Sequence, residues 1–128
     1  MNDITNRADV QLLVTTFYTQ IRKHETLGVF FNEMITDWDE HLEKLTDFWE
    51  SNLFFKAKFK GNPAQAHIQV DQHFQHSIKM EHFGMWLNLW VATIDSLFEG
   101  ELANRAKANA RKMATHLYIT LYQARSQH

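Results

Sequence analysis

Gly61-Asn62-Pro63-Ala64-Gln65-Ala66-His67 decides how the chain is divided, because it holds the only proline and one of only four glycines. Glycine and proline are the strongest local breakers of regular structure, so this segment separates the chain into an upstream and a downstream part. The piece behind the break is too short for a free-standing helix, yet it presents one imidazole, that of His67. On both sides the apolar residues recur with helical spacing, and without a period-2 stretch there is little room for hairpins. The fold class read from this pattern is all-α.

Upstream, Val10, Leu13, Val14, Phe17 and Ile21 lie at i, i+3, i+4, i+7 and i+11, one stripe of an amphipathic helix. Asn6 with Asp9 three residues on marks its start. Lys23-His24 close it with basic groups, where the helix dipole favours them. Tyr18 lies four residues after Val14 and three before Ile21, so its ring belongs to the buried side. Leu27-Gly28-Val29-Phe30-Phe31-Asn32 reads as a tight apolar corner. A second start comes at Thr36-Asp37-Trp38-Asp39, a threonine with an acid three residues later. The helix it opens carries Trp38, His41, Leu42, Leu45, Phe48, Trp49 and Leu53 at helical spacing, and His41 shares the inward stripe of Leu45 and Phe48.

Downstream, Ile68 to Ser77 reads as polar and irregular. A third helix is expected from Ile78 to Phe98, with Phe83, Trp86, Leu87, Trp90 and Ile94 on its face and Gly100 as its stop. The last, from Glu101 to Ala124, sets Leu102, Ala106, Ala110, Met113, Leu117 and Leu121 on one side. The expectation is four substantial helices plus a short one carrying His67, within a single domain spanning residues 1–128. Trp90 and Phe54-Phe55 are the aromatics that could stand exposed.

Composition narrows the function. With 13 Lys+Arg against 15 Asp+Glu and no basic stripe, the electrostatic footprint of a nucleic-acid binder is missing. The absence of cysteine removes disulfides, thiolate metal sites and haem attachment through Cys-x-x-Cys-His. Met1 to Arg7 has no apolar run of a signal peptide behind it, and no run of about 18 apolar residues exists to cross a bilayer. The expected location is cytoplasmic, with no membrane partner. Ten Phe, 4 Trp and 3 Tyr are unusual, and call for a bulky core or a pocket with flat walls.

No histidine has a glutamate three residues before it, which excludes the paired Glu-x-x-His helices of di-iron bundles. His-Glu-x-x-His and phosphate-binding glycine loops are also missing. His73-x-x-His76 with His82 could hold zinc, but without cysteine or an inward carboxylate it reads as a solvated surface run. There remain inward His41, Tyr18 and Trp86 and the perched His67, all among Phe and Trp. Such a set suits haem, which needs one strong axial ligand, an open sixth position and apolar walls. Tyr O–H, indole N–H or imidazole N–H groups in a dry pocket would stabilise the partial negative charge of bound dioxygen. Singly, Tyr18 and Trp86 read equally as core packing.

As an ordered set these residues carry a resemblance. Phe17-Tyr18, Leu27-Gly28-Val29-Phe30-Phe31-Asn32, Trp38-x-x-His41, Phe48-Trp49, Gly61-x-Pro63-x-x-x-His67 and Glu81-His82-Phe83-x-x-Trp86-Leu87-x-Leu89-Trp90 are similar to the group III truncated haemoglobins along nearly the whole chain. The glycine pairs of the other two groups are missing, as in this third group. The resemblance implies a two-over-two helical sandwich around non-covalent haem b. It implies His67 as the proximal iron ligand, Tyr18 as the main distal donor, Trp86 as a second donor and His41 as the distal histidine. Phe17, Phe31, Leu45, Phe48 and Trp86 would line the haem, with Trp49 supporting the distal helix from behind. The implied activity is binding of dioxygen and other diatomics such as CO and NO. An alternative is turnover of nitric oxide or peroxide at the same iron, which needs an external reductase. A cofactor-free or zinc-binding interaction module is the reading from a different class. The chain leaves the family's pattern at Ile68–Ser77, where relatives often carry a more apolar, proline-bearing link.

Overall fold

Asn6 caps the first helix, its side chain accepting from the Asp9 N–H at 3.0 Å, and α1 runs Arg7–Lys23. The computed structural model describes residues 1–55, 63–74 and 78–125, and these contain no strand. After α1 come α2 (Leu27–Met34), α3 (Trp38–Phe54), α4 (Pro63–His73), α5 (Met80–Leu97) and α6 (Glu101–Arg125).

Two elements depart from their sequence expectation. The apolar corner after α1 is itself helical, as α2. It starts so close to α1 that a Cβ on Gly28 would lie 2.8 Å from the Arg22 carbonyl oxygen, a distance only glycine tolerates. The His24 ring starts it, its Nδ1 accepting from the N–H groups of Thr26 and Leu27 at 3.1 and 3.0 Å. The second departure concerns Ile68–Ser77, where α4 continues through His73, so the polar composition builds an exposed helix rather than irregular chain. Residues 75–77 of that stretch, and Gly61 and Asn62 of the break, lie outside the described residues. The cap of α3 also shifts by one: Asp37, not Thr36, accepts from the Glu40 N–H at 3.1 Å.

α1 packs on α3 and α5 packs on α6; α1 meets α5 and α3 meets α6, which lays one pair over the other. The buried stripe Val10, Leu13, Val14, Phe17, Tyr18 and Ile21 agrees with the α1 periodicity. At the crossing, the Phe17 ring stands edge-on to Trp90 at 4.9 Å, and Trp90 stacks on Trp49 at 4.6 Å and on Trp86 at 5.7 Å. Trp90 is fully buried, contrary to the expectation that it could be exposed, and its indole N–H donates to the Ala106 carbonyl at 3.3 Å. That bond lets a polar edge enter the core without an unsatisfied donor. The small residues Ala103, Ala106 and Ala110 let α6 approach closely enough for it. Phe55, by contrast, is exposed and caps α3 in the left-handed region, under the Arg105 guanidinium.

Candidate functional site

The site is built from α1, α3, α4 and α5, with Phe31 of α2 beside them. Tyr18, one residue past the core ring Phe17, is buried and turns toward α3. Its ring lies 4.8 Å from Phe17, 5.7 Å from Phe31, 6.2 Å from Trp38 and 6.1 Å from His41. Burial pushes its phenol up to about 12, although a hydrogen bond from Trp86 acts in the opposite direction. The phenol, protonated at physiological pH even at its ordinary value of 10, is thus held further from ionisation. Because the Trp86 indole has only a donor to offer, that bond ends on the Tyr18 oxygen and leaves the Tyr18 O–H to point elsewhere. Trp86 itself is held in place by Phe17, edge-on at 5.3 Å, and by its stack on Trp90.

His41 completes this group. It is half-buried on α3, edge-on to Tyr18 and, at 5.7 Å, to Trp38. Burial depresses its pKa, and the positive charges of Lys44 and His67 depress it further, so the neutral imidazole is favoured. Of these two charges, that of Lys44 comes from α3 itself and that of His67 from α4. His67 is half-buried, and its ring lies face-on to Phe83 of α5 at 6.2 Å, with Tyr118 of α6 edge-on behind Phe83.

Leu45 and Phe48 come after His41 along the same stripe of α3 and are, like Phe31 and Trp86, only partly buried against the core. Trp38, Leu42, Met85, Leu87 and Met113 share that half-covered state. Large apolar side chains left half-covered on facing helices suit a flat apolar group between them far better than they suit water. Phe17 and Trp49, by contrast, are core residues: Phe17 is fully buried and backs the site through Tyr18 and Trp86, and Trp49 packs behind α3. An open surface groove of about 590 Å³, lined by Thr19, Arg22, Lys23, Asn32, Ile35, Thr36 and Trp38, shares only Trp38 with this assembly.

The sequence assigns no site role to three further participants. Trp38 contacts both Tyr18 and His41, and its position three residues before His41 is the available signal. Phe83 faces His67 and shares a helix face with Trp86, three residues on. The third is the ion pair that joins Asp71 of α4 to Arg125 of α6 at 2.8 Å. His73 and His82 are not brought together: His73 pairs with Glu33 at 3.1 Å, while His82 Nδ1 accepts from the Lys79 N–H at 2.8 Å and its ring meets Phe30. His76 lies outside the described residues, among which no cluster of three metal-ligating side chains occurs.

The helix order and packing define an all-α, globin-like two-over-two sandwich. No family model matches the sequence. The chain is similar to the group 3 truncated haemoglobin ctb of Campylobacter jejuni, with 28% identity over 122 residues covering 92% of each chain. Its fold is similar to that of the crystal structure of a group III truncated haemoglobin from Campylobacter jejuni, with a TM-score of 0.84 and 27% identity over 97% of this chain and 98% of that one. The likeness to this family that the motifs suggest is thus found in sequence and in fold alike.

Proposed function

We propose that this chain is a single-domain, haem-binding globin that takes up diatomic gases. The observation that carries the reading is the Tyr18–Trp86–His41 group, which combines a buried phenol, an indole donor and an imidazole whose pKa is lowered in part by His67 of α4, beside half-covered apolar side chains of α3 and α5. The donor set fits haem b: a neutral imidazole is its commonest axial ligand, and without cysteine the attachment is non-covalent. His67 would supply that ligand, with Phe31, Leu45, Phe48 and Trp86 against the ring. Haem, when bound there, supplies an iron with one open coordination position for O2, CO or NO.

The chain's own residues then set the outcome. Tyr18, protonated and relieved of accepting duty elsewhere by Trp86, donates its O–H toward the partial negative charge of the gas ligand. Trp86 fixes the direction of that O–H by occupying the Tyr18 oxygen from the other side. His41, kept neutral, holds one N–H that can donate and one lone pair that can accept, and Trp38 limits its swing. The apolar shell excludes water and so strengthens each of these hydrogen bonds.

The test is haem titration of the purified chain. A Soret band should form stoichiometrically, and His67→Ala should lose or displace it. An unchanged spectrum in His67→Ala would remove His67 from the iron. A second reading, turnover of nitric oxide or peroxide with electrons from a separate reductase, is favoured by the pairing of two protic donors beside neutral His41. Nitric oxide consumption that requires added reductase supports it, and reversible oxygen binding without such consumption supports carriage.

A further inference from the structure

α4 carries His67, and none of its described side chains belongs to the hydrophobic core. Among its described side chains only one is fully buried, and it is an acid: Asp71, 2% exposed. Asp71 lies four residues after His67, one helical turn along the same face. Its carboxylate accepts from Arg125 through two parallel bonds, Nε to Oδ2 and Nη2 to Oδ1, each 2.8 Å. Oδ1 also accepts from the Ile78 N–H at 3.2 Å, and Arg125 Nη2 donates to the Ile78 carbonyl as well. One buried carboxylate therefore ties α4 to the segment that opens α5 and to the last turn of α6.

The geometry points to Asp71 and Arg125 as positioning residues for His67. A helix held by apolar contacts can slide or rotate at little cost, because such contacts have no direction. A bidentate guanidinium–carboxylate pair fixes distance, plane and rotation together. With the pair one turn from His67 and no core residue among the described side chains of α4 to do the same, the rotation of α4 and hence the aim of the His67 imidazole depend on the Asp71–Arg125 bond. This inference rests on the reading of His67 as the axial ligand. The pair touches neither haem nor gas.

The experiment uses the full chain with haem supplied, as wild type, Arg125→Met, Arg125→Lys, Asp71→Asn and His67→Ala. Removal of outer-shell support for a metal ligand lowers affinity by about 10- to 100-fold, and a loss of that order is expected for haem in Arg125→Met. The iron–histidine stretching band of the reduced protein should shift or broaden, and amide hydrogen exchange across residues 64–73 should accelerate selectively. Arg125→Lys, which keeps one charged contact, should recover part of each change. Should Arg125→Met fail to fold, Asp71→Asn and Arg125→Lys carry the same comparison. A variant that melts earlier but keeps the wild-type band and haem affinity overturns the positioning role, leaving a pair that only stabilises. His67→Ala separates the two claims. If it leaves the reduced spectrum unchanged, the axial assignment itself fails; if it abolishes the band while the clamp variants keep theirs, only the clamp fails.

Discussion

At the scale of single residues, Tyr18 shows how position converts an ordinary side chain into a directed donor. A phenol in water exchanges partners freely, whereas here the ring is buried and Trp86 occupies its oxygen. Tyr18→Phe removes one hydrogen bond to a charged group, worth about 1.5–3 kcal/mol, so oxygen should leave about 10- to 150-fold faster in stopped-flow displacement. Trp86→Phe keeps the stack on Trp90 but frees the Tyr18 oxygen, and should give a smaller increase in the same measurement. Equal off-rates for wild type and Tyr18→Phe would remove Tyr18 from ligand stabilisation.

At the scale of elements, the ends of helices carry the long-range information. Asp3 caps α6 from the far end of the chain, accepting from the N–H groups of Leu102 and Ala103 at 2.9 Å each. Burial acts to raise its carboxyl, but the N–H groups of Leu102, Ala103, Ile4 and Glu101 outweigh that and hold it below 3.8. A depressed carboxyl contributes stability above its unfolded pKa and loses it as pH falls through the folded one. Asp3→Ala should therefore lower stability by about 0.5–2 kcal/mol near neutrality in urea melts, with a smaller penalty in strong acid. Gly100→Ala should cost at least as much, since Gly100 has φ 148° and a Cβ there would sit 2.5 Å from Asp3 Cγ. Neither cap nor clamp is legible in the sequence. Periodicity reports which face of a helix is buried, and it reads α1, α5 and α6 closely because their stripes are apolar, whereas on α3 it finds Trp49 and Leu53 but not the buried Thr46 and Glu50. Asp3 with α6, or Asp71 with Arg125, pairs residues about a hundred and about fifty positions apart by charge and direction, which leaves no local pattern. α4 departs from its expected irregularity for the same reason, since its anchor is an acid rather than an apolar stripe.

At the scale of the whole molecule, the two helix pairs meet on the Phe17–Trp90–Trp49 stack, and Trp86 joins the site to it through its contacts with Phe17 and Trp90. Core and site therefore share side chains. Trp90→Ala should cost about 3–5 kcal/mol and weaken haem retention together, as read by thermal melting and haem transfer to a competing apoprotein. Acid should loosen the same region. Burial lowers the pKa of both His41 and His82 below 6.5, with the charges of Lys44 and His67 adding to the effect on His41. The unfolded chain thus takes up these protons first, so stability is complete above about 6.5 and declines as pH falls through the lower folded values. The melting temperature should drop between about pH 7.5 and 5.5, and His82→Gln should flatten part of that drop. The central claim, that His67 and the Tyr18–Trp86–His41 group enclose a gas-binding haem, is tested most directly by one absorption spectrum. The haem-loaded chain, reduced with dithionite, should give a five-coordinate ferrous spectrum that shifts sharply on adding carbon monoxide, through an iron ligated by His67. A reduced chain that binds no haem, or whose spectrum ignores carbon monoxide, would contradict the account.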